Sequence, residues 1–374
     1  MKALVIGGGI AGPVTALALQ KAGIESVVFE AYDTTADGVG GMLSVAPNGL
    51  AALKIVGLEP DFGEPLRHMV MADAQGRTLG RITGDMSRVV PRAELYQRLR
   101  ELTAAQRIKV EYGKRLVDVR HENGVTATFS DGSTEEGDVL VGADGIRSRV
   151  RTIIDPHAPQ PEYVGLLGFG SYAENSGVHA DPETMYFVFG SSFLGYWEQP
   201  DGRIAWFNNL AVDQPEEVSS SAIWLERLRE AYGDDMPAKQ LLAHSHEVIG
   251  AGPLEIMPSV PHWYRDRMVL VGDSAHAPSA SSGQGASLAA ESAVQLARCL
   301  RDIRDIPTAF ATYERLRRPR VERIAARATK TNSDKRGMGP ITRLLMPLVM
   351  KTFGARAFTK DQNYRIDWDA QVSR

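Results

Sequence analysis

A glycine-rich turn near the start of the chain constrains the fold more than any other feature. Residues 2–6 form a short apolar run typical of a buried parallel strand, and Gly7-Gly8-Gly9-Ile10-Ala11-Gly12 follows directly. The stretch from Val14 to Lys21 then predicts a helix that ends at Gly23, and residues 26–30 predict a second strand. This βαβ unit predicts an α/β fold with a parallel sheet.

The glycine spacing matches the Gly-x-Gly-x-x-Gly fingerprint of dinucleotide-binding proteins. Gly7 would form the tight turn, Gly9 would let the backbone approach a pyrophosphate, and Gly12 would let helix and strand pack closely. Glu30, at the end of the second predicted strand, would accept hydrogen bonds from the adenosine ribose and repel a 2′-phosphate. The pattern therefore predicts bound FAD or NAD rather than NADP.

The composition argues against several other classes of protein. A length of 374 residues is enough for one large or two interleaved domains, and the formal net charge is −4. No nucleic-acid partner is expected, because phosphate binding needs a concentrated basic face. The arginine-rich run from Arg315 to Arg327 contains interspersed apolar residues, so we interpret it as a solvated helix face. Cys299, the one cysteine of the sequence, excludes an internal disulfide and is expected to be buried and structural.

The chain carries no recognisable targeting, membrane or metal-binding pattern. It enters a strand without a charged leader or a cleavage site, so we expect a cytoplasmic protein. The apolar stretch from Ile341 to Val349 is interrupted by Arg343 and Pro347 and is too short to span a bilayer, so no stable membrane insertion is expected. No spacing of histidines and carboxylates suggests a metal site.

A segment of different composition lies between two further predicted buried strands. The first strand, from Asp138, ends at Gly142, and the second, from Met268, ends at Gly272. Residues 160–262, between them, are rich in aromatic side chains and contain the hairpin signal Pro200-Asp201-Gly202. We therefore predict an antiparallel sheet inserted into the nucleotide-binding domain.

Several downstream motifs together resemble those of the group A flavoprotein aromatic hydroxylases, the monooxygenases with the para-hydroxybenzoate hydroxylase fold. The resemblance covers roughly residues 1–330. Its motifs are Pro91–Leu95, Gly142–Ser148, Gly272–His276, Ser282–Ala286 and Tyr313–Arg320. It implies a discontinuous Rossmann-like FAD-binding domain with an inserted sheet and C-terminal helices. The expected boundaries are 1–70, 91–157 and 265–335 for the FAD-binding domain, 71–90 and 158–264 for the substrate-binding sheet, and 336–374 for a C-terminal helical segment.

The same resemblance implies roles for individual residues. Asp273 would bind the ribityl chain, the backbone of Gly283 to Ser287 would meet the flavin pyrimidine edge, and Arg92 would reach the ribityl and phosphate region. Asp144 would take part in both FAD and nicotinamide handling. The complete expected cofactor set is Gly7, Gly9, Ile10, Ala11, Gly12, Glu30, Ala31, Arg92, Asp144, Asp273, Gly283, Gly285, Ala286 and Ser287.

The substrate side is defined less sharply by the sequence. The aromatic insert would cover the substrate, with Tyr196, Trp206 and Phe207 as candidate contacts, although most aromatics of the insert should form sheet core. No catalytic base can be named, and His276 is expected to hold its turn rather than transfer protons. Where the family often has a proline beside the flavin, this chain has Ala280.

The reaction implied by the resemblance is hydroxylation of an aromatic or polyketide-like small molecule. NADPH or NADH would bind transiently and reduce FAD, dioxygen would add at the flavin C4a position, and the resulting hydroperoxyflavin would transfer one oxygen atom. The enzyme would be a monomer or a homodimer. Two alternatives remain: an FAD-dependent reductase or oxidase of the same fold without oxygen insertion, and a flavin-free interaction module. A flavin-dependent halogenase is disfavoured because its Trp-x-Trp-x-Ile-Pro signature is absent.

Overall fold

The computed structural model describes residues 1–33, 41–122, 124–217, 220–335 and 360–373. The strands are, in chain order, β1 (Lys2–Ile6), β2 (Glu25–Phe29), β3 (Met42–Val45), β4 (Glu64–Asp73), β5 (Thr78–Pro91), β6 (Lys109–Glu111), β7 (Leu116–His121), β8 (Val125–Phe129), β9 (Thr134–Gly137), β10 (Val139–Gly142), β11 (Glu162–Ala173), β12 (Thr184–Phe189), β13 (Phe193–Glu198), β14 (Ile204–Ala211), β15 (Ile249–Ile256), β16 (Tyr264–Arg265) and β17 (Met268–Leu270). The helices are α1 (Ala11–Lys21), α2 (Pro47–Ile55), α3 (Arg92–Ala105), α4 (Arg149–Ile154), α5 (Ser221–Tyr232), α6 (Ala238–Ala243), α7 (Gly285–Asp302) and α8 (Ile306–Lys335). Two short 3-10 helices cover Gly272–Ser274 and Ala280–Ser282.

A six-stranded sheet forms the nucleotide-binding half, in the order β16-β17-β10-β1-β2-β6. All of its pairs are parallel except β16 with β17. Its central strands are almost wholly buried, as expected for strands covered on both faces. The parallel pairing brings the carboxyl ends of β1, β2, β10 and β17 to one edge of the sheet, where ligands bind in open α/β sheets.

An eight-stranded sheet forms the second half, in the order β15-β11-β14-β13-β12-β4-β5-β3. Its neighbours pair antiparallel, except for the parallel pair β4 and β12. One face packs against α5 and α6 in a single apolar cluster. A separate three-stranded antiparallel sheet, β7-β8-β9, packs on the first half through the tilted rings of Phe129 and Phe29, whose centres lie 4.7 Å apart.

The predicted fold class is confirmed, and three details differ from the sequence-based expectation. Residues 42–45 and 64–70 belong to the eight-stranded sheet, not to the nucleotide-binding part, because β3 and β4 pair with β5. The alternating residues 108–112 are typical of an antiparallel strand, but Lys109–Glu111 form the parallel edge strand β6 beside β2. Of the expected C-terminal helical segment, residues 360–362 form one helical turn and residues 364–373 are irregular; residues 336–359 lie outside the described residues.

The arginine-rich run of α8 also differs from its predicted solvated face. Arg317 and Arg320 are buried, because residues three apart share one face of a helix and this face packs against α7. Arg323 and Arg327 are half-exposed, and both pair with Asp361 of the C-terminal segment. Within the described ranges, no helix combines the length and hydrophobicity that crossing a bilayer requires.

The close approach of α1 to β1 leads to the first prediction. A Cβ atom added at Gly12 would lie 1.8 Å from the carbonyl oxygen of Gly7, a contact that only backbone displacement could relieve. We expect Gly12→Ala to lower the free energy of unfolding by about 1–3 kcal/mol or more, as overpacked sites do. Thermal unfolding of the apoprotein measures this. Gly84→Ala is the matched control, because a Cβ there meets no atom within 4 Å; equal melting temperatures for the two variants would contradict the prediction.

Candidate functional site

The first part of the candidate site lies where β1 ends and α1 begins. Gly7 adopts a φ of +109°, a left-handed conformation that favours glycine, and its backbone lies against Ala143 after β10. A Cβ at Gly9 would have the Tyr96 hydroxyl as its nearest neighbour at 3.6 Å, so this backbone is open on one side. Among the described residues, no side chain caps the N-terminus of α1, which leaves the amides of Ala11 and Gly12 available to an anionic group.

Glu30 follows β2 at the same edge. One carboxylate oxygen accepts a hydrogen bond from the amide of Gly8 at 2.6 Å, and the other accepts from the amide of Tyr32 at 3.0 Å. These bonds hold the carboxylate beside the glycine turn, where the fingerprint requires an acceptor for ribose hydroxyls. Ala31 lies in the turn that follows.

The third part comes from the turn after β17. The half-buried Asp273 accepts no hydrogen bond from any described residue, so its carboxylate is free to bind a ligand. Burial raises the pKa of Asp273, and the positive charge of Arg92 partly offsets that effect. A half-buried carboxylate that has an arginine nearby but no hydrogen bond from the described residues is suited to accepting hydroxyl donors.

Tyr96 belongs to this group, although sequence reasoning did not select it. Its hydroxyl accepts a hydrogen bond from Arg92 Nε at 2.6 Å, and the guanidinium lies 5.2 Å from the ring centre. Burial raises the pKa of Tyr96; Arg92 acts in the opposite direction, while Asp273 and Glu30 raise the pKa further. The signal available in the sequence was helical spacing, because Tyr96 lies one turn after Arg92 on α3.

Asp144 lies at the same edge of the sheet, but its hydrogen bonds to the protein distinguish it from the other residues that are expected to bind the cofactor. Its carboxylate accepts hydrogen bonds from the hydroxyls of Ser148 and Ser274 and from the amides of Arg149 and Val150. Burial raises the pKa of Asp144, and these hydrogen bonds partly counteract it. The side chain therefore joins the turn after β10 to the turn after β17, which positions Asp273.

His276 is held in a similar way. It is buried, its Nε2 lies 2.9 Å from the Ser292 hydroxyl, and its ring packs on Trp263 at 5.4 Å. Burial, with the nearby charge of Arg317, lowers the pKa of His276 to about 3. The side chain is thus neutral at physiological pH, which agrees with the structural role expected for it. Cys299 is buried as predicted, and burial raises the pKa of its thiol to about 11.

The turn before α7 completes the group. Gly283 adopts a φ of +58°, and Gly285, the first residue of α7, has no atom within 4 Å of an added Cβ. No side chain in the part of the chain that the structure describes caps α7, so the amides of Gly285, Ala286 and Ser287 lie at a helix N-terminus that carries partial positive charge. Ser287 also accepts a hydrogen bond from the amide of Ala46 at 3.0 Å, which fixes the turn against the end of β3.

The eight-stranded sheet presents its second face to this turn. Met42 and Ser44 lie on one face of β3, and an added Cβ at Gly283 would lie 4.0 Å from the Ser44 Cβ. The face that includes Met42 carries a mostly apolar cluster, which we name the inner face. Its members are Met42, Leu66, Val89, Tyr172, Met185, Phe187, Trp197, Ala205 and Phe207.

The three predicted substrate contacts do not share this inner face. Phe207 lies on it, beside Phe187 and Phe193. Trp206 faces the other way and donates a hydrogen bond to Ser245 at 2.9 Å, while Tyr196 stacks on Tyr186 in the cluster beneath α5 and α6. Because successive residues of a strand point to opposite faces, Trp206 and Phe207 cannot line one pocket, and the grouping expected from the sequence is corrected.

Comparisons with known proteins agree with this geometry. A family model described as FAD binding domain matches residues 1–328. The FAD-dependent urate hydroxylase of Klebsiella pneumoniae is 30% identical over 346 residues, which cover 88% of this chain and 89% of the relative. The 6-hydroxynicotinate 3-monooxygenase of Pseudomonas fluorescens is 27% identical over 369 residues, with 88% and 92% covered.

A solved structure matches nearly the whole fold. The crystal structure of Klebsiella pneumoniae HpxO complexed with FAD and uric acid has a TM-score of 0.85 and 27% sequence identity, covering 97% of this chain and 96% of that one. The family model and the urate hydroxylase each extend over most of the sequence, and the motifs of the two downstream turns lie inside both matches. The chain therefore belongs to the group A FAD-dependent monooxygenases.

Proposed function

We propose that this enzyme hydroxylates an electron-rich aromatic ring bound between the inner face of the eight-stranded sheet and the turn before α7. One observation carries the proposal: β3 places the inner face directly beside Gly283, at the edge where the Gly7 turn, Glu30 and Asp273 also lie. When bound, FAD supplies the redox chemistry, taking a hydride from NADPH or NADH and activating dioxygen. The chain's own residues bind, orient and shield the reactants.

The cofactor-binding residues proposed are those of the shared sheet edge. The amides of Ala11 and Gly12 would bind the pyrophosphate with Arg92 and Tyr96 nearby, and Glu30 would accept the ribose hydroxyls. Asp273 would accept the ribityl hydroxyls, for which it has no competing protein donor among the described residues. The uncapped start of α7 would stabilise negative charge on the pyrimidine edge of the reduced cofactor.

The inner face supports an aromatic substrate in particular. Phe207 and Phe187 pack edge to face at 6.2 Å, and the Phe207 ring covers Gly195, where an added Cβ would lie 2.3 Å from it. This arrangement offers flat apolar surface that excludes water from the reacting centre. The buried indole N–H of Trp197 has no hydrogen-bond partner among the described residues, which favours a substrate that carries an oxygen or nitrogen acceptor.

Relatives suggest which aromatic rings to test first. Two of them are named for urate and 6-hydroxynicotinate, both oxygenated nitrogen heterocycles. We propose compounds of this class, together with phenolic and polyketide-like rings, as the first panel. The required supply of NADPH or NADH fits the cytoplasmic location expected from the sequence, and we propose that the enzyme acts there as a monomer or homodimer.

The decisive experiment combines flavin spectroscopy with isotopic labelling. The purified protein should be yellow, its absorbance should bleach with NADPH or NADH faster when substrate is present, and one atom of labelled dioxygen should enter the product. Bleaching without label in the product would instead identify a reductase or oxidase of this fold. A protein that binds no flavin would support the interaction-module alternative.

Replacing the free carboxylate of Asp273 should separate stability from cofactor binding. Because burial raises its pKa, Asp273 favours the folded state most at acid pH, and this contribution is lost as pH rises through the folded pKa. Asp273→Asn should therefore raise the apoprotein melting temperature near pH 8, and this gain should disappear at acid pH. It should also weaken FAD binding by about 10- to 100-fold, through loss of hydrogen bonds to a charged group. Calorimetry and FAD titration test both effects, with the exposed Asp61→Asn as control; unchanged FAD affinity would remove Asp273 from the site.

Two phenylalanines on opposite faces of the sheet test the substrate position. Phe207→Leu should lower kcat/KM by about 10-fold, equal to about 1.4 kcal/mol of lost aromatic contact, and should increase NAD(P)H oxidation without product. Phe169→Leu lies on the face beneath α5, 5.0 Å from Trp224, and should lower the melting temperature without changing kcat/KM. Steady-state measurements of kcat/KM for both variants test this prediction. A larger loss of kcat/KM in Phe169→Leu than in Phe207→Leu would show that our proposal places the substrate on the wrong face of the sheet.

A further inference from the structure

The buried arginines of α8 surround one carboxylate of α7. Glu291 is 1% exposed, and its Oε2 lies 2.7 Å from Arg317 Nη1 and accepts a hydrogen bond from Arg320 Nε at 2.8 Å. Its Oε1 accepts from Arg320 Nη2 at 2.8 Å. Burial alone would raise the pKa of Glu291, but Arg317, Arg320 and Asn48 together hold that pKa below its ordinary value, so the carboxylate is ionised.

A single amide connects this carboxylate to the turn before α7. The side-chain nitrogen of Asn48, at the start of α2, donates one hydrogen bond to Glu291 Oε1 at 2.6 Å and another to Gln284 Oε1 at 2.9 Å. An ionised carboxylate can only accept hydrogen bonds, so Glu291 determines which way the Asn48 amide points. The orientation of Asn48 in turn requires Gln284 to present its oxygen.

Gln284 lies between Gly283 and Gly285 and directly precedes the first turn of α7. Its amide donates a hydrogen bond to the Ser282 hydroxyl at 3.0 Å, and its side chain is buried. The backbone of this turn is the part proposed to meet the pyrimidine edge of FAD. The conformation of the turn is therefore fixed by buried side chains on three helices, α2, α7 and α8.

We propose that Asn48, oriented by the ion cluster of Glu291, Arg317 and Arg320, is a positioning residue for the flavin-binding turn at Gly283–Gly285. The inference rests on the proposed FAD site. It assigns the arginines of α8 a function in presenting the α7 amides in the binding conformation before FAD arrives. Preorganisation of this kind lowers the free energy that binding would otherwise spend on ordering the turn.

Asn48→Ala tests this proposal most directly. Glu291→Gln is less suitable, because it would leave two guanidiniums without their buried counter-charge and would test folding instead. We expect Asn48→Ala and Gln284→Ala each to raise the Kd of the apoprotein for FAD by about 10-fold, measured by quenching of flavin fluorescence. The double variant should bind FAD no more weakly than either single variant, because both remove the same connection.

Gln295→Ala is the matched control. Gln295 is a buried amide on α7 that accepts a hydrogen bond from Arg298 Nη1 at 3.0 Å, so its loss perturbs the helix interior but leaves both Asn48 hydrogen bonds and the ion cluster intact. Its Kd for FAD should stay within about twofold of wild type, while apoprotein melting temperatures fall in both Gln295→Ala and Asn48→Ala. A wild-type Kd in Asn48→Ala, or multiplicative effects in the double variant, would overturn the inference. If the wild-type protein itself bound no FAD, the proposed function would fail instead.

Discussion

The parallel pairing of β1 with β2 and β10 is the constraint on which the rest of the molecule depends. Parallel strands end at the same edge, so residues that are far apart in sequence meet there without any direct contact being specified between them. Gly7, Glu30 and Asp273 lie within one neighbourhood because each follows a strand of this sheet. The close contact of Gly12 with the Gly7 carbonyl then lets α1 begin at that edge, with its amides facing the same space.

Sequence reasoning predicted most of this edge, because each motif contains its own local geometry. A glycine turn between a strand and a helix, or a Gly-Asp turn after a buried strand, can be recognised without knowing the rest of the fold. Tyr96 was missed because no motif contains it, although its position one turn after Arg92 was a usable signal. The burial of Arg317 and Arg320 was also missed, since the charge of a run does not reveal that a facing helix supplies Glu291.

The eight-stranded sheet could be predicted in type but not in orientation. Aromatic, alternating segments indicate strands, and alternation alone separates Trp206 from Phe207. The packing of α5 and α6 and the pairing of β3 decide which of these two side chains points toward the cofactor. Both are long-range tertiary contacts. The assignment of residues 42–45 and 64–70 to the FAD-binding domain failed for the same reason, because the sheet that a strand joins depends on tertiary context that the local sequence does not contain.

The chain passes from the six-stranded to the eight-stranded sheet after β2 and after β10, and it returns after β5 and after β15, which makes four crossings between these two sheets. Neither half is therefore a continuous module that could be cut out and replaced at two junctions. Transfer of the inner face from a relative with another substrate would need four compatible junctions, and one of them directly precedes β3, the strand that carries Ser44. New specificity is more accessible through single substitutions on that face than through exchange of the whole sheet.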